Sequence, residues 1–465
     1  MIKQSSIILL VFFVSMNRAV GQSPANQEKK FSADELKTDL KYLKTKLESN
    51  HPGLYLYTSK PELDRAFDSL ESSISNPLTE LEFYKHITVL SSIIKDGHSI
   101  ILPSAAVTNS PGNTRNFLPY HFIILDNKLF ADMVYTSDHS IPAGSEIISI
   151  DNLEANKLIV QLRDRQVRDG NNLTYPTWIL SNYFRQYYSF IFGYPLSHTI
   201  SFKVNEQTKT ATIKALPKDS IYYYRQKNYP DRSFSNLPNE GIKLKIEKDK
   251  KYAILTIKDF HNDVLKKEYK QNFEKSIASC FEQISNNETK NLILDLRNNQ
   301  GGDIENGVYL LSYLLNKPFS VVQEYFCVDD NELKRCNGPS LGLHDPKSNN
   351  FKGNLFVLIN GGSFSNSGIV SSCLQANNRA IFIGQETGGN PNVITGFIRD
   401  IKLPNTKIQV QVPTKQFVIT NKLNNNGRGI MPTQFIEPTL SDLLEGKDTE
   451  LNYCIDLINK MNNGN

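Results

Sequence analysis

The sequence lacks the histidine and cysteine spacings that hold metal ions. Its eight histidines are scattered, and neither His-x-x-x-His nor Cys-x-x-Cys occurs. It also lacks a dense run of lysine and arginine, and its formal net charge is only +4 over 465 residues. We therefore predict no metal site, no cofactor and no role in nucleic-acid binding.

Long hydrophobic runs are missing as well. The apolar run near the N-terminus, from Ile7 to Met16, is too short to span a bilayer. It follows Lys3 and precedes a small-x-small ending at residues 19–21, which is typical of a secretory signal peptide. We assign residues 1–21 to a signal peptide and expect an exported protein, periplasmic or extracellular, with no membrane span after cleavage. An uncleaved anchor is the alternative.

Cysteine is rare, with five residues, an odd number. Cys327 and Cys336 bracket a short polar loop and are candidates for a disulfide in an oxidising compartment. Cys373 lies in a helical pattern, and we interpret it as a small core residue rather than a reactive thiol.

The length predicts two or three domains, and the composition is that of a globular protein. Residues 30–105 are predicted to be helical, because capping boxes beginning at Ser32, Ser59 and Thr79 each precede an amphipathic stripe. We expect the third helix to end at Gly97, with His98 in the turn just beyond it.

Residues 115–217 alternate in hydrophobicity and predict a small β domain, with strands at 122–125, 147–150, 200–204 and 210–213. An aromatic insertion at about 166–195 is interpreted as packing residues, with a substrate-facing wall as the alternative. Residues 218–240 are predicted to be a polar connector. An α/β core then occupies residues 241–465, with strands within 391–433 and a last helix over 439–462.

The centre of this core is predicted at residues 354–390. The short apolar run from Leu355 to Ile359 indicates a buried parallel strand, and Ala380 to Ile383 indicates another. Between them lie a serine-rich turn and a helix. A serine at such a turn is exposed at the carboxyl edge of a sheet, beside the free N–H groups of a helix start, as nucleophilic catalysis requires. The alternative is that these serines and Asn366 only cap the helix.

Three motifs, in order, resemble those of the S41 peptidases, the tail-specific and tricorn-core serine proteases. They are Asp-Gly-His at 96–98, LILDLRNNQGG at 292–302, and GGSFSNSG followed by IGQETGGN at 361–390. The segment IPAGSEIISIDN at 141–152 also resembles part of a PDZ domain. The resemblance implies a multidomain α/β protein with a crotonase/ClpP-like ββα protease core, an N-terminal helical region and a PDZ-like β domain, acting on peptides or unfolded protein segments.

The resemblance also implies site residues. Ser365 matches the nucleophile, and Gly302 matches a backbone donor of the oxyanion hole, with a plain tight turn as the alternative. Asn366 follows a buried strand and opens a predicted helix, so its N–H lacks a helical acceptor and we expect it to be the second donor. The tail-specific branch activates its serine with a lysine, but no lysine occurs from 353 to 401. The tricorn-like histidine, His98, is therefore the expected general base. An imidazole with a pKa near ~6.5 takes up a serine proton at neutral pH, and we expect the two side chains within about 4 Å.

Four positions depart from the family pattern: Gly97 stands where the tricorn-like members have a serine, Gly368 and Asn426 where the family has glutamates, and Thr433 where it has an aspartate. The motifs identify no residue that orients His98, although Ser99 follows it directly. These departures leave a second hypothesis, a catalytically inactive S41-like secreted protein that binds peptides or hydrophobic ligands.

Overall fold

The computed structural model describes residues 29–230, 240–247, 249, 252–420, 422–423 and 427–463. The predicted signal peptide and Asn426 lie outside these residues. Among the described residues, no helix is long and apolar enough to cross a membrane.

The N-terminal region is helical, as predicted. Its elements are β1 (Lys30–Phe31), α1 (Ala33–Asn50), α2 (Lys60–Ser73), β2 (Leu78–Thr79), α3 (Glu80–Ile87), α4 (Leu90–Ile94), β3 (Ile101–Leu102) and α5 (Ala105–Thr108). The three predicted capping boxes form, because Ser32, Ser59 and Thr79 each exchange hydrogen bonds with the glutamate three residues later.

The expected end of the third helix is wrong. The stripe forms two helices, α3 and α4, and the second ends at Lys95, which adopts the left-handed conformation with φ 57°. Gly97 is not the C′ glycine, because Lys95 is the left-handed residue at the helix end and Gly97 has no positive φ. A Cβ at Gly97 would lie 2.5 Å from Phe364 Cζ. The glycine is needed for a close approach to that ring.

The second region contains the predicted β domain. Its elements are β4 (Asn116–Phe117), β5 (Tyr120–Leu125), β6 (Lys128–Val134), β7 (Glu146–Ile150), β8 (Leu153–Glu154), α6 (Ala155–Arg163), α7 (Thr174–Phe192), β9 (Ser197–Val204), β10 (Gln207–Lys214), β11 (Leu216–Pro217) and α8 (Lys218–Asn228). The antiparallel sheet has the order β10-β9-β7-β6-β5, with β8 beside β7. The four predicted strands are confirmed.

Two parts of this region differ from a plain β domain. The aromatic insertion folds into the long helix α7, which packs against β5 and α3. The predicted connector is wrong over its first half, because residues 218–228 form α8. That helix buries Ile221 with Phe117 and Tyr135, a contact between distant segments that the polar sequence does not signal.

The core region carries two large sheets and a two-stranded sheet. Its elements are β12 (Ile242–Glu247), β13 (Tyr252–Ile257), α9 (Asn262–Glu268), α10 (Phe273–Asn286), β14 (Asn291–Asp295), α11 (Ile304–Leu314), β15 (Phe319–Ser320), β16 (Val322–Asp329), β17 (Glu332–Cys336), β18 (Leu343–His344), β19 (Asn354–Ile359), α12 (Asn366–Ala376), β20 (Ala380–Gly384), β21 (Val393–Lys402), β22 (Gln409–Ile419), β23 (Gln434–Phe435), α13 (Leu440–Glu445) and α14 (Thr449–Asn463).

The first core sheet has the order β12-β13-β14-β19-β20-β23, and β13, β14, β19 and β20 run parallel, as the continuous apolar runs predict. The second has the order β17-β16-β22-β21, and β15 and β18 form the two-stranded sheet. The single helix predicted over 439–462 is two helices, because Gly446 adopts the left-handed conformation after α13. Cys327 and Cys336 form a disulfide across β16 and β17, and Cys373 is buried.

The N-terminal region docks on the core. Strand β3 pairs with β22, and the fully buried Asp39 of α1 reaches the turn between β21 and β22. The Asp39 carboxylate accepts hydrogen bonds from the backbone N–H groups of Asn405 and Thr406, both at 2.8 Å, and from the Thr406 hydroxyl at 2.6 Å. One carboxylate therefore fastens the first helix to the core sheet.

We predict that Asp39→Ala lowers the free energy of unfolding by about 3 kcal/mol, because it leaves several buried donors without an acceptor. Urea unfolding followed by circular dichroism measures the change. The matched control is Asp68→Ala, an exposed aspartate on α2, which should shift stability by less than about 0.5 kcal/mol. Equal effects of the two substitutions would show that the carboxylate does not hold the interface.

Candidate active site

The serine turn, residues 360–366, joins the end of β19 to the start of α12. Ser365 occupies the N-cap position of α12, but its side chain makes no capping hydrogen bond. Its backbone has φ 53° and ψ −120°, a conformation that side-chain-bearing residues rarely adopt. The capping alternative therefore fails for this serine.

The turn is fixed by hydrogen bonds to the loop after β14. The Phe364 N–H donates to the Asn299 carbonyl at 3.0 Å, and the Ser363 hydroxyl donates to the Leu296 carbonyl at 2.8 Å. Ser363 is therefore a structural residue. These bonds hold Ser365 in its strained conformation.

His98 lies beside Ser365, although 267 positions separate them in the chain. The imidazole Nε2 is 3.2 Å from the Ser365 Oγ, within the separation expected from the sequence. The ring also packs on Phe364, with centroids 4.7 Å apart. A nitrogen at this distance can accept the hydroxyl proton, provided that the other nitrogen, Nδ1, carries the imidazole hydrogen.

The His98 imidazole is less basic than an exposed histidine. Burial lowers its pKa to about 4, although the charge of Asp96 opposes the shift. The expected value near ~6.5 is therefore too high for this state of the protein, and His98 is neutral at pH 7. Among the described residues, none accepts a hydrogen bond from Nδ1, so no hydrogen bond from these residues fixes the orientation of the ring at that nitrogen.

Asp96 fixes the backbone beside His98. Its Oδ1 accepts hydrogen bonds from the His98 N–H at 2.9 Å and the Ser99 hydroxyl at 3.0 Å. Its Oδ2 accepts from the Thr395 hydroxyl at 2.6 Å and lies 3.6 Å from Nε2 of His51. Burial alone would favour the neutral carboxyl, but the facing His51 holds the pKa of Asp96 below its usual range. Asp96 is thus an ionised group next to the His98 ring.

The expected backbone donors lie near Ser365. A Cβ on Gly301 would lie 2.7 Å from both the Asn366 nitrogen and the Ser365 Cβ, so this loop touches the serine turn. Gly302, with φ 137°, is bridged to Phe260 on its other side. Asn366 begins α12, and its side chain donates to the Asp303 carbonyl at 2.7 Å. The structure therefore brings Gly301, the residue before Gly302, against residues 365–366.

The first turn of α7 also lies against the serine turn. Tyr175 stacks on Phe364 with centroids 4.1 Å apart and an interplanar angle of 9°. The Trp178 indole N–H donates to the Asn298 side-chain oxygen at 2.7 Å. Most aromatic residues of this insertion are buried core, as we interpreted them, whereas Trp178 borders the site. Ser365 and His98 are only 8% and 3% exposed.

Three residues of the site carried no sequence signal. His51 and Thr395 surround Asp96, and Asp169 lies in the segment between α6 and α7. None belongs to a motif, and each reaches the site through a contact between distant segments. Only alignment with homologues could mark such positions from sequence.

The comparisons with known proteins agree with these motifs. Residues 251–435 match the model of Peptidase family S41. The chain carries a domain of this family. A carboxy-terminal-processing protease of Bartonella bacilliformis is 28% identical over 176 residues, 38% of each chain. A carboxyl-terminal-processing protease of Synechocystis sp. is 25% identical over 194 residues, which cover 41% of this chain and 42% of that protein.

The matched stretch therefore spans about two-fifths of the length of these two curated relatives. The fold extends further. The crystal structure of mature CPAF superposes with a TM-score of 0.66, covering 92% of this chain and 98% of that one at 14% identity. The mixed α/β fold of the S41 structures thus extends through the N-terminal regions.

We predict that Ser365→Gly is more stable than Ser365→Ala, by about 1 kcal/mol, because glycine relieves the positive φ that alanine retains. Both variants lose the same hydroxyl, so denaturant unfolding isolates the backbone effect. The matched pair is Ser371→Gly and Ser371→Ala, inside α12, where glycine should be less stable by about 1 kcal/mol. If the glycine variant were the less stable one at both positions, the backbone of Ser365 would not be strained.

Proposed function

We propose that this protein is an exported serine endopeptidase that cleaves peptides or unfolded protein segments, with Ser365 as nucleophile and His98 as general base. The observation that carries the proposal is the 3.2 Å contact between His98 Nε2 and the Ser365 Oγ. The S41 domain supports a serine peptidase. The short apolar run before residue 22 supports export.

The chemistry follows from the contact. His98, neutral at pH 7, takes the Ser365 proton as the oxygen attacks the scissile carbonyl carbon. The resulting imidazolium gives that proton to the leaving amine, and water then hydrolyses the acyl-enzyme. Because burial disfavours the imidazolium, a nearby negative charge is needed. Asp96, ionised and bonded to the His98 backbone, supplies it.

We propose the backbone N–H groups of Gly302 and Asn366 as the oxyanion hole. Asn366 opens α12, so its N–H has no acceptor within the helix. The neighbouring Gly301 lies against the Ser365 turn, which supports the placement of Gly302. Two donors near ~3 Å from a developing oxyanion typically contribute about 3 kcal/mol each to the transition state.

The domain assignment is part of the proposal. Residues 241–465 form the crotonase/ClpP-like protease core, residues 30–105 the helical domain, and residues 115–217 the PDZ-like domain. The parallel arrangement of β13, β14, β19 and β20 supports the first. The antiparallel sheet order β10-β9-β7-β6-β5, together with α6, supports the PDZ-like domain.

The inactive, ligand-binding alternative has two observations in its favour. The serine and histidine are buried, and the described residues offer His98 Nδ1 no acceptor. Against it, the serine is strained and the two reacting atoms are in contact. Covalent labelling by a fluorophosphonate separates the two functions, since it requires an activated serine.

We predict that Ser365→Ala abolishes fluorophosphonate labelling and lowers peptide hydrolysis by about 10³-fold or more. The matched control is Ser367→Ala, because the Ser367 hydroxyl is buried two residues away and has no hydrogen-bond partner among the described residues. That variant should be labelled like the wild type. Labelling that survives in Ser365→Ala and disappears in Ser367→Ala would show that Ser367, not Ser365, is the nucleophile.

We predict that His98→Gln lowers kcat by about 10³-fold with a much smaller change in KM. His121→Gln, a partly exposed histidine of β5 paired with Asp132, should leave both constants unchanged. A kcat of His98→Gln equal to that of the wild type would show that His98 is not the general base.

The same variant tests the pKa of the buried ring. In the folded state the pKa of His98 is about 4, whereas in the unfolded chain it is near ~6.5. The unfolded state therefore binds the proton first, and stability falls as the pH drops from about 6.5 to about 4. His98→Gln should lose less stability than the wild type between pH 7 and pH 5, as measured by urea unfolding.

A further inference from the structure

A buried carboxylate joins the two loops that carry the reacting residues. Asp169 follows α6 and is 2% exposed. Its Oδ1 accepts a hydrogen bond from the Gly97 N–H at 2.7 Å, and its Oδ2 accepts one from the Asn390 N–H at 3.0 Å. Each carboxylate oxygen therefore accepts a hydrogen bond from a different loop.

The two donors lie next to the reacting groups. Gly97 directly precedes His98. Asn390 ends the glycine loop, residues 384–390, in which the Gly388 N–H donates to the Ser363 carbonyl at 2.9 Å. Hydrogen bonds thus lead from the backbone beside His98, through one carboxylate, to the turn that carries Ser365.

The fit around Asp169 leaves little freedom. The Gly170 N–H donates to the Lys95 carbonyl at 2.9 Å, and the Asn171 N–H donates to the Gly427 carbonyl at 3.1 Å. A Cβ at Gly97 would lie 2.9 Å from the Asp169 Oδ1 and closer still to the Phe364 ring. The loop before His98 is therefore pressed against both the carboxylate and the serine turn.

We propose that Asp169 is a positioning residue that sets the separation of His98 and Ser365. The inference rests on the proposed function, since it assigns Asp169 a role in the same reaction. Asp169 touches neither reacting atom and acts through the two backbone N–H groups. Reacting groups displaced by about 1 Å typically lose about 10²-fold in rate, so a carboxylate that fixes this separation affects kcat.

This arrangement makes the site sensitive to pH. Protonation turns one carboxylate oxygen into a hydroxyl, which is a weaker acceptor, so the ionised form of Asp169 holds both N–H bonds best. The titratable groups that face Asp169 are Asp96 beside His98, Tyr57 after α1 and Tyr175 of α7. Burial and the charge of Asp96 raise the pKa of Asp169 to about 7. Activity should therefore fall as the pH drops through about 7, well above the range in which His98 protonates.

The test is Asp169→Asn, which keeps the shape of the side chain but replaces one acceptor oxygen with a donor. We expect kcat for peptide hydrolysis to fall by about tenfold to a hundredfold, with KM within about threefold of the wild type. The decline of kcat below pH 7 should disappear. The matched control is Asp164→Asn, a carboxylate on the same segment that is 49% exposed, which should keep the wild-type kcat and pH profile.

The outcomes separate this inference from the function on which it rests. If the wild type hydrolyses peptides and Asp169→Asn keeps both its kcat per folded molecule and the decline near pH 7, Asp169 is structural only and the inference is overturned. If Asp169→Asn does not fold, the wild-type profile decides, because a kcat that is flat from pH 8 to pH 5.5 contradicts the role. A wild type that neither hydrolyses peptides nor reacts with fluorophosphonate overturns both proposals.

Discussion

The contact between the Ser365 hydroxyl and the His98 imidazole depends on the docking of two regions that are far apart in the chain. Ser365 belongs to the core sheet, through the end of β19 and the start of α12. His98 belongs to the N-terminal helices. The distance of 3.2 Å between the two side chains therefore depends on the interface between these regions, which includes the β3–β22 pairing and the hydrogen bonds of the Asp39 carboxylate. A loss of docking would separate the proposed catalytic pair even if each region stays folded.

Burial is the second constraint on the site. It lowers the pKa of His98 and raises the free-energy cost of an imidazolium, so the proposed base is neutral at pH 7 but binds a proton less strongly. The charge of Asp96 opposes this effect. The same charge, with burial, raises the pKa of Asp169 to about 7, whereas the facing His51 holds the pKa of Asp96 below its usual range. Asp96 therefore stays charged through neutral pH, and Asp169 loses its charge as the pH drops through about 7.

The sequence predicts the local parts of this site and misses the distant ones. The strand, turn and helix around Ser365 follow from apolar periodicity over adjacent residues, and the structure contains them. His98 was found only through a motif, because nothing local distinguishes it from other histidines. Asp169 was missed because a charged residue between α6 and α7 resembles a surface residue until the fold encloses it. The sequence predicts Gly97 as a helix-capping glycine, but the structure requires a glycine there because the Phe364 ring, 267 positions away in the chain, leaves no room for a Cβ.

The departures from the family pattern have different structural meanings. An added Cβ at Gly368 would have no neighbour within 4 Å among the described residues, so a side chain at this position would meet no steric obstacle at its Cβ. Thr433 accepts a hydrogen bond from the Phe382 N–H at 3.2 Å, which joins it to β20. Gly97 differs, because a serine there would collide with Phe364 and Asp169. The backbone before His98 is held in this chain by a buried carboxylate, because the Gly97 N–H donates to Asp169, and the His98 Nε2 lies 3.2 Å from the Ser365 Oγ.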